Sequence, residues 1–224
     1  MKTLVFDVNE TLLDLQAMRP RFDAVFGSTD LLAAWFGQLL RHSLVATVTD
    51  TYSPFDVLGV DALRLVALKA GIDLSEADAA YVVDGMRHLP PHPDVRPAIT
   101  RLRDHGFRVA TLTNSPPHLL IDQLANAEVI DLFDMTMSID PVRKFKPHPD
   151  TYRSGAKRLG IDINGMRLVA AHDWDVTGAI RAGAKAAFVA RRGAVLAAST
   201  EIPDIVETDL GRITDRIINI EGAE

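Results

Sequence analysis

The sequence has no cysteine. That absence excludes a disulfide framework, a thiolate-held metal and a cysteine nucleophile together. Nor is there a surplus of basic residues: 24 Lys and Arg stand against 30 Asp and Glu, a formal net charge of −6. Such a balance favours solubility and gives no electrostatic reason to bind nucleic acid or an anionic membrane. The opening apolar run carries one Lys and is only strand-length, too short for a signal-peptide core or a membrane span. A soluble, cytoplasmic protein is the expectation. Internal repeats and low-complexity tracts are missing as well.

What is present is a chain of 224 residues with 47% apolar content, enough for one large or two small domains with a substantial core. Four short apolar runs, each followed by a polar turn, read as strands covered on both faces: TLVFDV (3–8), RVATLTN (108–114), RLVAAHD (167–173) and KAAFVA (185–190). MTMSI (135–139) is a weaker fifth. Helical patterns lie between them, at Pro97 to His105, Leu119 to Ala127, Asp150 to Leu159 and Val176 to Ala182. This alternation predicts a doubly wound α/β fold with a parallel sheet. Residues 15–89 break the alternation. They carry helical patterns at 30–48, 61–70 and 75–88, with Ser75 and Asp78 placed as a capping box, and no clear strand. The predicted organisation is a core of residues 1–14 and 90–224 with a helical cap, 15–89, inserted after the first strand. The tail after Arg192 carries no clear pattern and is expected to finish the α/β layer.

Ligands of open parallel sheets bind outside the carboxyl ends of the strands. Asp7, Asn9 and Thr11 follow the first strand, and Thr113, Asn114 and Ser115 follow the second. Lys146 lies on the third loop, and His172, Asp173 and Asp175 follow the fourth strand. Two carboxylates, hydroxyl and amide donors and one ammonium make a set suited to displacement or hydrolysis. Singly, each has a plainer reading. Asp7 and Asp14 read equally as helix caps, Lys146 as a solvated loop residue, and Tyr152 as packing in a first helical turn behind Pro149, facing the same mouth. Trp35, Phe36 and Trp174 are equally core or pocket wall. His88, His92, His105, His118 and His148 read as surface or turn residues, with no metal-ligand cluster.

The order of these motifs resembles the haloacid dehalogenase superfamily, and within it the L-2-haloacid dehalogenases, over nearly the whole chain. In FDVNETLLD, Asp7 stands at the nucleophile and Thr11 at its accompanying hydroxyl; TLTNSP supplies Thr113 and Asn114. FKPHPDTY supplies Lys146 and Tyr152, and VAAHDWDVTGA supplies Asp175 beside Trp174. The resemblance implies a Rossmann-like core under a helical cap, and a homodimer. Phosphatases of the superfamily place a general acid two positions after the nucleophile and a metal-binding acid four before the last Asp. Here those positions are Asn9, which exchanges no proton near neutral pH, and Ala171. The expectation is therefore metal-independent hydrolysis of short 2-haloalkanoic acids, haloacetates and fluoroacetate among them, without a cofactor. Asp7 attacks the halogen-bearing carbon, Lys146 keeps it ionised, and Asp175 activates water against the resulting ester. The amides of Asn114 and Ser115 are candidates for the substrate carboxylate.

Two departures stand out. The position of the family's halide-binding Arg is Phe36, and Arg41 lies about 140° further around that helix. The family's Ser and Asn on the last loop are Ala170 and His172, so His172 becomes a candidate for the halide or the water. The competing readings are a phosphatase with degraded motifs and a non-catalytic relative that binds a small acid or a partner protein.

Overall fold

The computed structural model describes residues 2–222. Among them, six parallel strands form one sheet: β1 (Thr3–Phe6), β2 (Arg108–Thr113), β3 (Met135–Ser138), β4 (Met166–Ala170), β5 (Lys185–Val189) and β6 (Ile205–Glu207). Their order is β3-β2-β1-β4-β5-β6, so the chain reverses direction across the sheet between β1 and β4. In register, Val5 of β1 lies between Ala110 of β2 and Leu168 of β4. Every residue of β1 and β4 is buried. That is why these strands are continuous apolar runs and do not alternate: helices cover both faces of the sheet.

The segment between β1 and β2 begins with four helices and no strand: α1 (Arg19–Phe26), α2 (Leu31–Val48), α3 (Phe55–Lys69) and α4 (Glu76–Asp84). Its two connections to the sheet run side by side. The Asp14 N–H donates to Pro90 O, and the His92 N–H donates to Leu12 O, both at 2.9 Å. By length and composition α2 is the one described helix apolar enough to cross a membrane. Here it is the spine of the helical layer, with Trp35, Phe36 and Leu39 buried and Trp35 Nε1 donating to Gly59 O of α3 at 2.9 Å. The cap at Ser75 is as the sequence indicates: its hydroxyl accepts the Asp78 N–H at 3.0 Å.

Around the sheet lie α5 (Val95–Asp104), α6 (Pro117–Asn126), α7 (Pro149–Leu159), α8 (Asp173–Ala182) and α9 (Leu210–Glu221). α5 buries Val95, Ala98, Ile99 and Leu102, a one-face spacing for a helix on a sheet. Two elements differ from the sequence reading. α1 is an addition to it, since of its residues only Phe22 is buried. α3 begins at Phe55, ahead of the Asp61 expected, because Pro54 sits at the N-cap, where a missing N–H costs nothing. The tail supplies β6 and α9. Arg167, fully buried on β4, holds that tail: it reaches Asp204 with two bonds (2.6 and 2.8 Å) and Glu221 on α9 (2.7 Å).

One contact fixes where α8 lies against the loop after β3. A Cβ at Gly178 would meet Pro147 Cβ at 2.5 Å and the Tyr152 hydroxyl at 2.6 Å. Only a residue without a side chain allows α8 this close to the Lys146–Pro147 segment. We expect Gly178→Ala to cost about 1–3 kcal/mol through overpacking, read as a lower urea midpoint with an unchanged slope. An unchanged midpoint would mean that the loop moves away freely.

Candidate active site

Asp7 directly follows β1, and its N–H continues the ladder to Val169 O at 3.0 Å. The chain then turns tightly, with the Leu12 and Leu13 N–H groups both returning to Val8 O. This turn brings Thr11 back over the strand end. The Thr11 hydroxyl accepts the Ala171 N–H at 2.9 Å, which directs its own proton to Asp7 Oδ2 at 2.7 Å. Arg191 holds the turn from outside through Thr11 O and a bidentate pair with Asp94.

Lys146 is 1% exposed, so the loop does not leave it in solvent. Its N–H donates to Asn114 Oδ1 at 3.0 Å, which locks the loop after β3 to the loop after β2. Its ammonium donates to Asp7 Oδ1 at 3.0 Å and to Asp175 Oδ2 at 2.7 Å. Asp175, in the first turn of α8, is fully buried and accepts the Tyr152 hydroxyl at 2.6 Å on its other oxygen. Tyr152 therefore does not face the mouth. It is fully buried and positions Asp175.

The two carboxyls are driven apart by this arrangement. Burial acts to raise Asp7, but Lys146, His172 and the Thr11 hydroxyl outweigh it and hold Asp7 below the usual carboxylate range. Burial also raises Asp175, and there the lysine's pull is opposed by the charge on Asp7, so Asp175 stays above that range. Burial works against the Lys146 charge, yet the two carboxylates win and raise it. Carboxyls with pKa values pushed apart are the pattern of two different chemical roles.

Around Asp7 lies a cavity of about 10 Å³, room for roughly one water. Thr113 and Asn114 form one side, Phe36, Leu40 and Phe55 the roof, and His172 and Trp174 the rim. The His172 ring stacks on Trp174 with 4.8 Å between centroids. Its Nε2 is 3.2 Å from Asn9 O and 3.7 Å from Asp7 Oδ2. Trp35 belongs to the core, and Arg41 lines a separate groove between α2 and α3. Among the described residues, no guanidinium lines the cavity.

Two expected substrate contacts have other partners. Asn9 lines the cavity, but its amide is engaged, donating to Ser115 Oγ at 3.2 Å and accepting from Gln123 Nε2 at 2.9 Å. The Ser115 N–H is directed at Thr113 Oγ1 at 3.2 Å. Pro116 and Pro117 open α6, so its N-terminus lacks two of the donors a helix normally offers. Gln123 is absent from the sequence reading, although it interrupts the buried stripe Leu119, Leu120 and Leu124 of α6 with an amide. Asp14 caps the turn at Leu15–Met18, and Asp173 accepts its neighbour's N–H, both structural placements.

The donor set does not suit a divalent cation. The ammonium of Lys146 occupies an oxygen of each carboxylate, the Asn9 amide is held by Ser115 and Gln123, and Ala171 has no side-chain ligand atom.

A parallel sheet that gathers two buried carboxylates about one ammonium at its strand ends is a framework suited to a hydrolase. The haloacid dehalogenase-like hydrolase family model matches residues 1–207, and the chain belongs to that family. It is 27% identical to an (S)-2-haloacid dehalogenase of Pseudomonas sp. strain YL, over 96% of this chain and 94% of the relative. It is 26% identical to haloacetate dehalogenase H-2 of Moraxella sp. strain B, over 91% of this chain and 92% of that protein. The structure of L-2-haloacid dehalogenase from Xanthobacter autotrophicus with chloropropionic acid covalently bound superposes with a TM-score of 0.91, covering 98% of each chain at 26% identity.

Removing the ammonium tests the balance directly. Lys146→Met leaves two buried carboxyls with no cation between them, and we expect a loss of about 3–5 kcal/mol at pH 7 in urea unfolding. Both carboxyls then titrate higher folded than unfolded, so the folded state binds more protons and stability returns as the pH falls to about 5. Stability equal to the parent's at pH 7 would show that the lysine does not hold this balance.

Proposed function

We propose that this protein hydrolyses the carbon–halogen bond of short 2-haloalkanoates, haloacetates among them, through an ester on Asp7. The observation that carries the reading is a buried, ionised carboxylate held by Lys146 and Thr11, with an amide at Asn9 and an apolar Ala171 where phosphoryl transfer needs acids. Full-length likeness to proteins named 2-haloacid and haloacetate dehalogenases supports it.

In the first step an Asp7 oxygen attacks the halogen-bearing carbon from behind, forming the C–O bond as the C–X bond breaks and halide leaves with its electron pair. A poorly solvated carboxylate is the better nucleophile here, since little water must be stripped from it. In the second step Asp175 takes a proton from water, whose oxygen attacks the Asp7 ester carbonyl. The adduct expels the alkoxide of the hydroxy acid, which takes the proton back from Asp175, and Asp7 loses water's second proton to solvent as its carboxylate is restored. Lys146 is the charge both carboxyls share, Tyr152 keeps Asp175 in place, and Asn9 with Ser115 and Gln123 steadies the turn. The imidazole N–H of His172 faces the departing halide in a pocket that Phe36 makes small. Thr113 and Asn114 contact the substrate's carboxylate end, and Trp174 backs the imidazole. The cavity is too small for a haloacid as it stands, so the helical layer, 15–89, lifts for substrate to enter. The paired segments 12–14 and 90–92 are its hinge.

We assign this enzyme to the cytoplasm as a homodimer. Leu44, Val45, Val48 and Leu68 on the outer side of α2 and α3 are exposed and apolar, a surface that a second copy would cover. Sedimentation at micromolar concentration should give twice the 24.5 kDa chain mass; the single-chain mass rejects the dimer.

Halide release from chloroacetate or fluoroacetate should persist with a chelator present, while Mg²⁺-dependent release of phosphate from p-nitrophenyl phosphate would sink the proposal. Asp7→Asn should abolish turnover, and Asp175→Asn should release halide once and retain the acyl mass on the peptide containing Asp7. Because Asp175 is held above the usual range and Asp7 below it, acid protonates Asp175 first. Ester should therefore accumulate in acid-quenched parent enzyme as the pH is lowered, with halide release in a single turnover persisting to lower pH than steady-state turnover.

A further inference from the structure

Glu10 lies in the turn after Asp7 at φ +61°, a left-handed conformation disfavoured for a residue with a Cβ. Its carboxylate is partly buried, and its one ion-pair partner among the described residues is His172, with Oε2 3.7 Å from Nε2. Burial raises the acid's pKa and Asp7 and Asp14 add to that rise, while His172 opposes it. So an unfavourable backbone angle and an unfavourable burial are both accepted in order to set one carboxylate beside one imidazole. Glu10 and His172 also share the wall of an outer cleft, of about 370 Å³, while His172 alone of the two lines the cavity around Asp7.

We infer that Glu10 is a positioning residue for the reaction proposed above: its carboxylate stands beside the His172 Nε2, which the Asn9 carbonyl holds, and supplies a counter-charge to that ring as halide departs. The inference rests on the reading of Asp7 as the nucleophile. Before attack, Nε2 lies within hydrogen-bond distance of Asn9 O at 3.2 Å and stands 3.7 Å from each of two carboxylates, those of Asp7 and Glu10. Ester formation removes the Asp7 charge just as a halide anion appears. Glu10, outside the cavity, is not consumed and remains as the counter-charge that stabilises an imidazolium. Phe36 leaves no guanidinium to share this work.

The other charged groups around the ring are few. Asp173 and Asp175 stand on its own helix, the first bonded to the Trp174 N–H and the second to Lys146. From the loop after β5 come Arg191, paired with Asp94, and Arg192. From α2 comes uncharged Phe36.

Three variants separate positioning from structure. Glu10→Gln should lower kcat for chloroacetate about tenfold, as expected for loss of a nearby counter-charge, with KM nearly unchanged and the alkaline limb of the kcat profile moved to lower pH. Glu10→Asp should recover part of the rate. Glu10→Gly relieves the backbone, so it should melt no lower than the parent and yet be as slow as Glu10→Gln. Parental kcat and pH profile in the Gln and Gly variants overturn the inference. So does a Gly variant that restores both stability and rate. A parent that releases no halide overturns the dehalogenase reading instead. In that event NMR titration of the His172 ring still decides: a midpoint unmoved by Glu10→Gln overturns the pairing as well.

Discussion

One ammonium between two buried carboxylates is the constraint around which the rest of this molecule is arranged. Isolated charges at such depth cost several kcal/mol each, and the cost is offset only when partners are close and well directed. The structure meets that condition from three separate loops. β1 delivers Asp7, the loop after β3 delivers Lys146, and the first turn of α8 delivers Asp175. Each is steadied by a neighbour of its own, with Thr11 on Asp7, Asn114 on the lysine loop and Tyr152 on Asp175. Gly178 belongs to the same logic, since a side chain there would push α8 off the loop that carries the lysine.

The shared cation also explains how two identical functional groups in one pocket can be given different work. Both are buried and both touch Lys146. Asp7 has the Thr11 hydroxyl and the nearby imidazole as further support for its charge. Asp175 has a tyrosine hydroxyl but also the repulsion of Asp7. The nucleophile of the proposed reaction is thus the acid that is easiest to ionise, and the base is the one that holds a proton more readily.

Much of this is legible in the sequence, because it is local. Strand ends are marked by apolar runs giving way to polar turns, so Asp7, Thr113 and Asp175 can be placed at one edge of the sheet without any geometry. The same pattern sets the alternation of strands and helices. What cannot be read depends on direction rather than position. Nothing in FKPHPDTY says that Tyr152 turns inward, and nothing in DVNET says that the Asn9 amide turns toward α6. α1 and the start of α3 escape a sequence reading because a short helix with one buried residue, or one that opens on proline, has too little periodicity. α9 does carry a readable signal: Asp209 caps it, and Leu210, Ile213 and Ile217 keep a helical spacing.

The departures of this chain from its family's pattern form a set. At Phe36 the roof of the cavity is aromatic, and among the described residues no guanidinium lines it. A halide leaving into such a roof has no counter-charge from above. The imidazole of His172 stands at the rim instead, clamped by the Trp174 face, the Asn9 carbonyl and the Glu10 carboxylate. An imidazolium differs from a guanidinium in one decisive respect: its charge can be withdrawn near neutral pH. In the proposed reaction Asp7 loses its charge as the ester forms, and Glu10, at a left-handed position of the turn that carries Asp7, is the carboxylate that keeps its charge beside the ring.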